Sequence, residues 1–376
     1  MTTEILLLSL LFLFVINTPI AISIGMASIL GILIKGDFPL MMVVQRMFGG
    51  IDSFHLMAVP LFMFVGVIME AGGISRRIID FANALVGWLP GGLAAVTIVS
   101  AMFFAGISGS AAADTAAVGA ILIPAMKNSG YESDFAAAVQ ASGGSIGVII
   151  PPSIPMIIFG FLTGVSIGQL FAGGILPGVL IGITLVGVST YISWKKGYAA
   201  TTPFSMTQVW YNFKRAILAL GTPVIILGGI LFGIFTATES AAVAVVYALF
   251  VGMFVYKKIK VKELVRLFRD GAITSSIVMF IIATASIFSW IAAIEDIPAS
   301  LAGSLLGMTQ NPVMLLLIIN LILLIAGTFV ETTAALILLV PMITAMVSTL
   351  GIGHCPIFPP TQGVSPDPPD FPWRRA

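Results

Sequence analysis

The sequence predicts an all-α polytopic membrane protein, built as a duplicated repeat with re-entrant hairpins and broken helices. Three observations lead to this fold class. Apolar residues make up 59% of the 376 residues and charged residues only 9%, where a soluble domain carries about a quarter charged residues. The mean hydropathy is +1.12, and the apolar runs are long enough to cross a bilayer. Glycine, proline and serine interrupt these runs at matching places in the two halves.

The composition also excludes several classes of protein. A net charge of +1 excludes a nucleic-acid binder, because such proteins need a strongly basic face. One cysteine (Cys355) and two histidines (His55 and His354) exclude a disulfide scaffold and the usual zinc clusters. The expected surroundings are therefore a lipid bilayer, with no nucleic acid as a partner.

The first quarter of the chain contains short apolar segments. Residues 5–34 follow an N-terminus without the positive region of a signal peptide, so we expect retained helices, split at 17–19. Residues 39–54 are amphipathic and are expected at the membrane interface. Residues 56–72 and 78–88 are each too short to cross, which predicts a re-entrant hairpin.

The rest of the chain alternates long apolar runs with polar breaks. The breaks lie at residues 106–110 within run 92–126, at 143–152 within 135–162, at 236–239 within 216–255, at 295–298 within 272–306 and at 327–333 within 312–350, and an unbroken span covers 168–194. Two loops, after residue 194 and at 257–270, hold most of the basic residues and are separated by two spans. The positive-inside rule therefore makes both loops cytoplasmic. Glu239 is expected to be a structural helix cap.

The two halves share one pattern. Residues 8–33 align with 228–253, and an amphipathic segment and an interrupted hairpin follow each copy. An Ala-Gly break comes next, at Gly106 and at Gly327. Paired broken helices in a duplicated unit are typical of secondary transporters, with the substrate near the midplane between the breaks. The copies are inverted if one unit crosses the membrane an odd number of times.

This pattern predicts four regions. The first repeat half covers 1–200, with scaffold helices, a hairpin and the first broken helix. A basic cytoplasmic linker covers 201–215, an incomplete second half covers 216–352, and a proline-rich tail covers 353–376.

The breaks supply the candidate binding residues, because unwound backbone inside a bilayer leaves polar groups that need partners. Carbonyl, hydroxyl and carboxylate oxygens suit a hard cation such as Na⁺, and a helix N-terminus near Ser110 suits an anionic substrate. Small residues such as 111–113 alternatively serve only close packing. The candidates are Gly106, Ser108, Gly109, Ser110 and Asp114 in the first break, Ser145, Pro151 and Pro152 in the next, and Gly327, Thr328, Glu331, Thr332 and Thr333 in the last.

Neither the first nor the last break contains Lys, Arg or His, and the chain has no P-loop motif for ATP hydrolysis. These features favour cation-coupled uptake of a small carboxylate over ATP-driven transport, and no cofactor is expected besides the coupling cation, Na⁺ or another hard cation. A passive channel or an unrelated ion-coupled antiporter is the main alternative. An intramembrane serine hydrolase, indicated by Gly106-Ile-Ser-Gly109, is a weaker one, since Ser108 would need His55 or His354 as its base.

Several separated motifs resemble one family. They are VPLFMFVGVIMEAGGISRRIIDFANALVG (59–87), FAGISGSAAADTAAVGAILIP (104–124), GVIIPPSIPMIIFG (147–160), FTATESAAVAVVYALFVG (235–252) and GTFVETTAALILLVP (327–341). Over about residues 1–352 the chain resembles the large membrane subunit, of DctM type, of tripartite ATP-independent periplasmic (TRAP) transporters.

This resemblance implies an elevator-type fold in the bacterial inner membrane and sodium-coupled import of a carboxylate such as a dicarboxylate or sialic acid. It implies two partners, a small membrane subunit and a periplasmic substrate-binding protein. It also implies one sodium site near Ser108 and Ser110, with Gly106, and a counterpart near Thr328 and Thr332, with Gly327.

The segment from about Gly353 departs from the family pattern. It holds seven of the 21 prolines and has no helical period, so it is not expected to be a membrane helix. We expect a truncation or an out-of-register reading there, and a genuine disordered tail is the alternative.

Overall fold

A computed structural model describes residues 2–309 and 311–349, and within these ranges all regular secondary structure is helical. The predictions for the tail, including His354 and Cys355, lie outside the described residues. The helices are α1 (Thr2–Val15), α2 (Ile20–Lys35), α3 (Met41–Ile51), α4 (Ala58–Ala71), α5 (Ile74–Val86), α6 (Gly92–Ser108), α7 (Ala111–Asn128), α8 (Ser133–Gly144), α9 (Ile154–Thr163), α10 (Ile167–Lys195), α11 (Met206–Leu231), α12 (Ala237–Phe250), α13 (Val261–Ile294), α14 (Ile297–Met308), α15 (Pro312–Phe329) and α16 (Thr332–Thr349). Short turns of 3-10 helix cover His55–Met57 and Ser145–Val148, and a π-helical turn, Val251–Val255, extends α12.

Four helices are long and apolar enough to cross a membrane: α10, α11, α12 with its π turn, and α13. A fifth crossing is formed if α3 and α4 are taken together, although the two helices meet at an angle of 69°. The all-α, polytopic membrane fold that the composition predicts is therefore confirmed.

The two ends of the molecule differ in charge. We call the end that carries the loops after α10 and α12 the basic end, because Lys195 ends α10 and the loops contain Lys196, Lys257, Lys258 and Lys260. The other end is the opposite end. It is marked by an ion pair of 2.5 Å between Lys35, the last residue of α2, and Glu295, which follows α13.

Helix α4 crosses the molecule and is not half of a hairpin. Its start lies beside the start of α12, where the Thr238 hydroxyl donates to the Phe54 carbonyl at 3.0 Å. Its end lies beside the end of α12, where a Cβ on Gly72 would be 3.7 Å from the Gly252 Cα. The 3-10 turn before α4 lengthens it enough to run from the opposite end to the basic end.

Helix α5 stays at the basic end. Its last turn leads to Gly87, whose carbonyl accepts a hydrogen bond from the Thr201 N–H at 2.8 Å. One face of α5 is buried, through Ile74, Ile78 and Ala82, whereas Arg76 on another face is exposed. This amphipathic helix therefore lies along the basic end, and the prediction of a re-entrant hairpin over residues 56–88 is wrong.

The re-entrant hairpin is formed by α6 and α7 instead. The Gly91 N–H, just before α6, donates to the Tyr198 carbonyl at 3.0 Å. The Glu132 N–H, just after α7, donates to the Tyr198 hydroxyl oxygen at 3.2 Å. Both open ends of the hairpin are thus at the basic end, and its tip at Gly109 lies inside the molecule. The run 92–126, which the sequence predicts as one broken helix, is two antiparallel helices.

Helices α8 and α9 form a broken crossing, as the sequence predicts. Helix α8 starts next to Glu132 at the basic end. After the break, α9 ends at Gly164, which lies with His55 and Phe235 around a pocket of about 450 Å³ at the opposite end. The break lies level with the hairpin tip.

The second half repeats these elements in the inverted orientation. Helix α13 runs from Lys260 at the basic end to Glu295 at the opposite end, which reverses the direction of α4. Helices α15 and α16 correspond to α6 and α7, with their break at residues 330–331. The repeat is therefore inverted, and within the described residues the second half contains no element that corresponds to α8–α10.

Glu239 closes the N-terminus of α12. The Glu239 N–H donates to Thr236 Oγ1 at 3.2 Å, and the Thr236 N–H donates to Glu239 Oε2 at 2.8 Å. This reciprocal pair is a capping box, so the prediction of a structural cap is confirmed.

Candidate functional site

The tip of the first hairpin is a tight turn between two helices. Gly109 has a φ of +63°, which residues with a Cβ adopt only at a cost. Ser110 follows in an extended conformation, and its hydroxyl accepts a hydrogen bond from the Ala113 N–H at 3.4 Å. The turn therefore requires a glycine followed by a serine, because the glycine permits the turn and the serine caps α7.

The broken crossing formed by α8 and α9, which we call the broken span, contacts this tip directly. The Ile154 N–H, at the start of α9, donates to the Gly109 carbonyl at 3.2 Å. A Cβ on Gly109 would lie 2.7 Å from the Pro152 carbonyl oxygen, and one on Gly106 would lie 3.8 Å from the Pro151 carbonyl oxygen. The Pro151–Pro152 bond is cis. The structure thus brings the predicted prolines against the predicted glycines.

Ser145 lies elsewhere. It is exposed, and its hydroxyl donates to the Ser142 carbonyl of its own helix at 2.8 Å. The serine of the second break that reaches the tip is Ser153, which sequence reasoning missed. Its hydroxyl donates to the Val148 carbonyl at 2.7 Å and accepts from the Met156 N–H at 3.4 Å, so it both holds the loop and caps α9. The signal was available, since Ser153 precedes the apolar start of a helix.

Asp114 is fully buried in the first turn of α7. Its Oδ1 accepts the Ser108 hydroxyl hydrogen bond, and Ser108 Oγ accepts in turn from the Ser110 N–H at 3.1 Å. Among the described residues Oδ2 has no hydrogen-bond partner. Asp114 therefore fixes the last residue of α6 to the first turn of α7, and one of its oxygens is left for another ligand.

Two further residues shape this site and were not predicted. Gln140 of α8 is buried and donates to the Thr115 carbonyl at 3.2 Å, which ties the broken span to the hairpin. Gly147 lies against Asp114 Oδ2 so closely that a side chain there would overlap it. A lone amide within small and apolar residues was the available signal for Gln140.

A central cavity of about 480 Å³ joins the two halves. The starts of four helices meet at its wall: α2, α7, α9 and α16. The lining residues are Pro19, Ile20, Ala21, Met63, Gly109, Ser110, Ala111, Ala112, Val148, Ile154, Pro155, Thr274, Ile277, Val278, Ile281, Glu331, Thr332 and Thr333. None of them is Lys, Arg or His. Positive electrostatic potential here comes from helix N-termini, whose free N–H groups favour an anion.

The last break contributes only part of its predicted residues to this wall. Glu331 Oε2 accepts from the Thr333 N–H at 2.9 Å and from the Ala334 N–H at 3.2 Å, so this carboxylate caps α16. Thr332 and Thr333 lie beside it in the wall. Thr328 is exposed and donates to the Leu324 carbonyl of its own helix at 2.9 Å.

Gly327 lines a separate cavity of about 300 Å³, and Thr332 also contributes to the lining of this cavity. The structure therefore brings residues 331–333 to the first break, and Gly327 and Thr328 lie away from it.

A smaller chamber of about 90 Å³ lies between α4 and α7, next to the central cavity. Ser108, Ser110, Asp114, Thr274 and Glu70 contribute to its lining. Hydroxyl and carboxylate oxygens around so small a space are the donor set that a hard cation prefers.

The structure separates Ser108 from His55, the histidine among the described residues that a serine hydrolase could use as its base. His55 lies in the pocket at the opposite end, in edge-on contact with Phe54. Ser108 bonds with Asp114 and with the backbone of Ser110 in the interior. These positions give no nucleophile–base pair.

Comparison with known proteins agrees with this architecture. The family model of the tripartite ATP-independent periplasmic transporter, DctM component, matches residues 7–357. An isethionate TRAP transporter permease protein, DctMQ, from Oleidesulfovibrio alaskensis is 43% identical over 343 residues, which cover 90% of this chain and 53% of that protein. The chain thus spans about half the length of that relative.

Two further relatives are covered more fully. The sialic acid TRAP transporter large permease protein SiaM of Vibrio cholerae is 39% identical over 89% of this chain and 78% of its own length. The C4-dicarboxylate TRAP transporter large permease protein DctM of Pseudomonas aeruginosa is 39% identical over 88% of this chain and 77% of its own length. The chain therefore belongs to the DctM-component family of tripartite ATP-independent periplasmic transporters, and it is a multi-pass membrane subunit of a transporter and not an enzyme.

Proposed function

We propose that this chain carries out sodium-coupled import of a small organic anion, a carboxylate or a sulfonate, as the large permease of a three-part transporter. The named substrates of the relatives, isethionate, sialic acid and C4-dicarboxylates, are all anions. The passive channel and the unrelated antiporter remain the alternatives that the experiment below separates.

The central cavity is the observation that carries this proposal. It lies at the level of both breaks, and the N-termini of α2, α7, α9 and α16 converge on it. An anion there would receive backbone N–H groups and the positive ends of helix dipoles, which replace part of its hydration shell. The apolar remainder of the wall, including Ile277 and Ile281, excludes water around the bound group.

A bound sodium ion would offset the negative charge of the transported anion. The chamber beside the cavity offers the oxygens of Ser108, Ser110 and Asp114 in the hairpin, and these fit a hard monovalent cation. For the pseudo-symmetric site, the described residues that face the cavity are Thr332 and Thr333 with Glu331, and Thr328 stands apart. The hairpin tip therefore supports the first sodium site more fully than the second.

The charge distribution supports an orientation in the membrane, and the family supports two partners. The positive-inside rule places the basic end in the cytoplasm, so the opposite end faces the periplasm of the bacterial inner membrane. A periplasmic binding protein would deliver the anion to that end. Many exposed apolar side chains on α10 and α11, such as Leu176, Leu180 and Val224, face lipid or a small membrane subunit. Elevator-type movement of the hairpins against α4 and α11–α13 belongs to the same proposal.

Uptake into proteoliposomes tests the proposal. The chain is reconstituted with a small membrane subunit and a periplasmic binding protein of this transporter family, and labelled isethionate, sialic acid and succinate are offered with an inward sodium or potassium gradient. Accumulation that requires both sodium and the binding protein is expected. Equilibration that ignores the sodium gradient would show a passive channel, and exchange that ignores the binding protein would show an unrelated antiporter.

A matched pair of serine variants refines the test. Ser110→Ala removes a hydroxyl from the chamber and should raise the sodium concentration for half-maximal uptake. Ser145→Ala removes an exposed hydroxyl that bonds to its own helix and should leave that concentration unchanged. Equal effects of the two variants would contradict a sodium site at the hairpin tip.

A further inference from the structure

Among the residues that the structure describes, the basic end carries more cations than its ion pairs neutralise. The ion pairs at this end, among the described residues, are Lys196–Glu132, Arg266–Asp270 and Arg269–Asp270. The remaining cations of α5, of the first part of α11 and of the loop after α12 have no such pair in this part of the chain; they are Arg76, Arg77, Lys214, Arg215, Lys257, Lys258 and Lys260. Asp80 is the one acidic residue of α5. A surface with this excess of positive charge attracts an anionic ligand.

Two of these cations, Arg77 and Lys258, lie near Tyr256, and the backbone of a third, Arg215, accepts a hydrogen bond from the same tyrosine. The Arg77 Cζ lies 3.6 Å from the centroid of the Tyr256 ring, and Arg77 Nη1 donates to the Gly73 carbonyl at 2.8 Å. The Tyr256 hydroxyl donates to the Arg215 carbonyl at 3.3 Å. The stem of Lys258 passes Gly73, where a Cβ would be 3.4 Å from Lys258 Cγ. We call Arg77, Arg215, Tyr256 and Lys258 the Tyr256 cluster.

The cluster joins three separate segments of the chain. Arg77 lies in the first turn of α5, Arg215 lies in α11, and Tyr256 with Lys258 follows α12. Arg77 is already oriented by its ring and carbonyl contacts, so an anion would not need to order this side chain on binding. Lys258 is exposed, and so is Arg215, whose Cζ lies 5.6 Å from the centroid of the Tyr211 ring. The Arg215 guanidinium would exchange this ring contact for an anion at the cluster.

The surroundings of the cluster are those of a membrane interface. Exposed aromatic residues lie along the same end, and cationic side chains lie over some of them. Trp88 packs edge-on against Phe204 at 6.1 Å, and Lys214 Nζ lies 5.3 Å from the Trp210 ring centroid. Tryptophan and tyrosine with long cationic side chains mark the headgroup level of a bilayer. The charges of the cluster therefore lie at the depth where lipid phosphates are found.

We propose that the Tyr256 cluster binds the phosphate headgroup of an anionic phospholipid in the leaflet at the basic end. A guanidinium presents paired N–H donors that match phosphate oxygens, and the Lys258 ammonium adds a mobile positive charge. Phosphatidylglycerol satisfies this arrangement with a net negative charge. Phosphatidylcholine does not, because its choline group brings a positive charge to the same place. The bound lipid links α5, α11 and the segment after α12, and this role is independent of the transported substrate.

Lipid association of the purified chain tests this proposal. Spin-labelled phosphatidylglycerol and phosphatidylcholine are compared in nanodiscs, and the ratio of their association constants is measured by electron paramagnetic resonance. Preference for phosphatidylglycerol is expected, and each neutralised cation should lower the ratio about fivefold, equivalent to about 1 kcal/mol. The variants are Arg77→Gln, Lys258→Gln and their combination.

The chain offers a matched control for these variants. Arg46 lies over the Trp290 ring at 4.9 Å, so it makes the same type of contact at the opposite end. Arg46→Gln should leave the lipid ratio unchanged. If Arg77→Gln fails to fold, Arg77→Lys keeps the charge, loses the paired donors and should give an intermediate ratio.

Three results would overturn the proposal. One is a wild-type protein with no preference between the two lipids, and another is a ratio that Arg77→Gln/Lys258→Gln leaves unchanged. The third is loss of the preference with inorganic phosphate but not with chloride at equal ionic strength, which would assign the cluster to a soluble phosphate. Because lipid association is measured without substrate or sodium, failure here would leave the transport proposal standing, and failure of transport would leave this one standing.

Discussion

Replacement of Gly109 by alanine is the sharpest test of the contact between the hairpin tip and the broken span. The backbone φ of +63° alone costs an alanine about 1–2 kcal/mol. The new Cβ would also lie 2.7 Å from the Pro152 carbonyl oxygen and 3.0 Å from the Ile154 nitrogen, both of which belong to backbone and cannot rotate away. Displacing them should cost a further 1–3 kcal/mol, roughly the range for overpacked sites. The expected total is about 2–5 kcal/mol.

Gly130→Ala is the control for the backbone term. Gly130 has a φ of +85°, and nothing lies within 4 Å of the position of its Cβ, so only the conformational cost applies. Free energies of unfolding are measured by detergent titration in mixed micelles, followed by tryptophan fluorescence. Gly109→Ala should be less stable than Gly130→Ala by the steric term and should also lose uptake. Equal stability of the two variants, with uptake retained in both, would refute the contact.

Three further perturbations follow from the same geometry. Glu331→Ala removes the cap of α16 and should cost about 1 kcal/mol of unfolding free energy, whereas Glu331→Gln keeps one acceptor oxygen and should cost less; equal losses in the same titration would argue against capping. Lys35→Met leaves Glu295 unpaired and partly buried, which should cost about 1–3 kcal/mol, and exchanging the two residues should restore stability; an exchange no more stable than the single variant would show that the pair is not a direct contact. Asp114→Asn should raise the sodium concentration for half-maximal uptake about tenfold, a loss of roughly 1.4 kcal/mol, and an unchanged sodium dependence would remove this carboxylate from the coupling site.

Hydropathy and charge were enough to predict the membrane fold, the basic end and the duplicated unit. They did not separate a crossing from a hairpin. Residues 56–72 appear too short to span, yet the 3-10 turn from His55 extends α4 across the molecule. Residues 92–126 look like one interrupted helix, because a left-handed glycine is compatible with either a kink or a reversal. The contacts of Gly91 and Glu132 with Tyr198 show that the chain reverses at Gly109.

The candidate site, like the fold, was predictable from the sequence only in part. Residue types in the breaks predicted which segments meet, because backbone that leaves a helix inside the membrane needs polar partners. Side-chain direction was not predictable. Ser145 turns outward while Ser153 caps α9, and the Thr328 hydroxyl bonds to its own helix while Thr333 bonds to Glu331. Such choices depend on helix phase and on neighbours distant in sequence.

The contacts of Tyr198 also constrain the order in which this protein assembles during synthesis. The legs of the first hairpin are joined at their base by a residue that emerges only after α10. Until then, Gly91 and Glu132 lack these partners, and until α9 is made the polar tip at Gly109 lacks the backbone that bonds to it. The hairpin is therefore expected to enter the membrane late, after α10 has crossed, and ribosome-bound chains that end before residue 198 should leave residues 92–128 accessible to a water-soluble reagent. Insertion of this hairpin thus depends on tertiary contacts with segments that follow it in the chain.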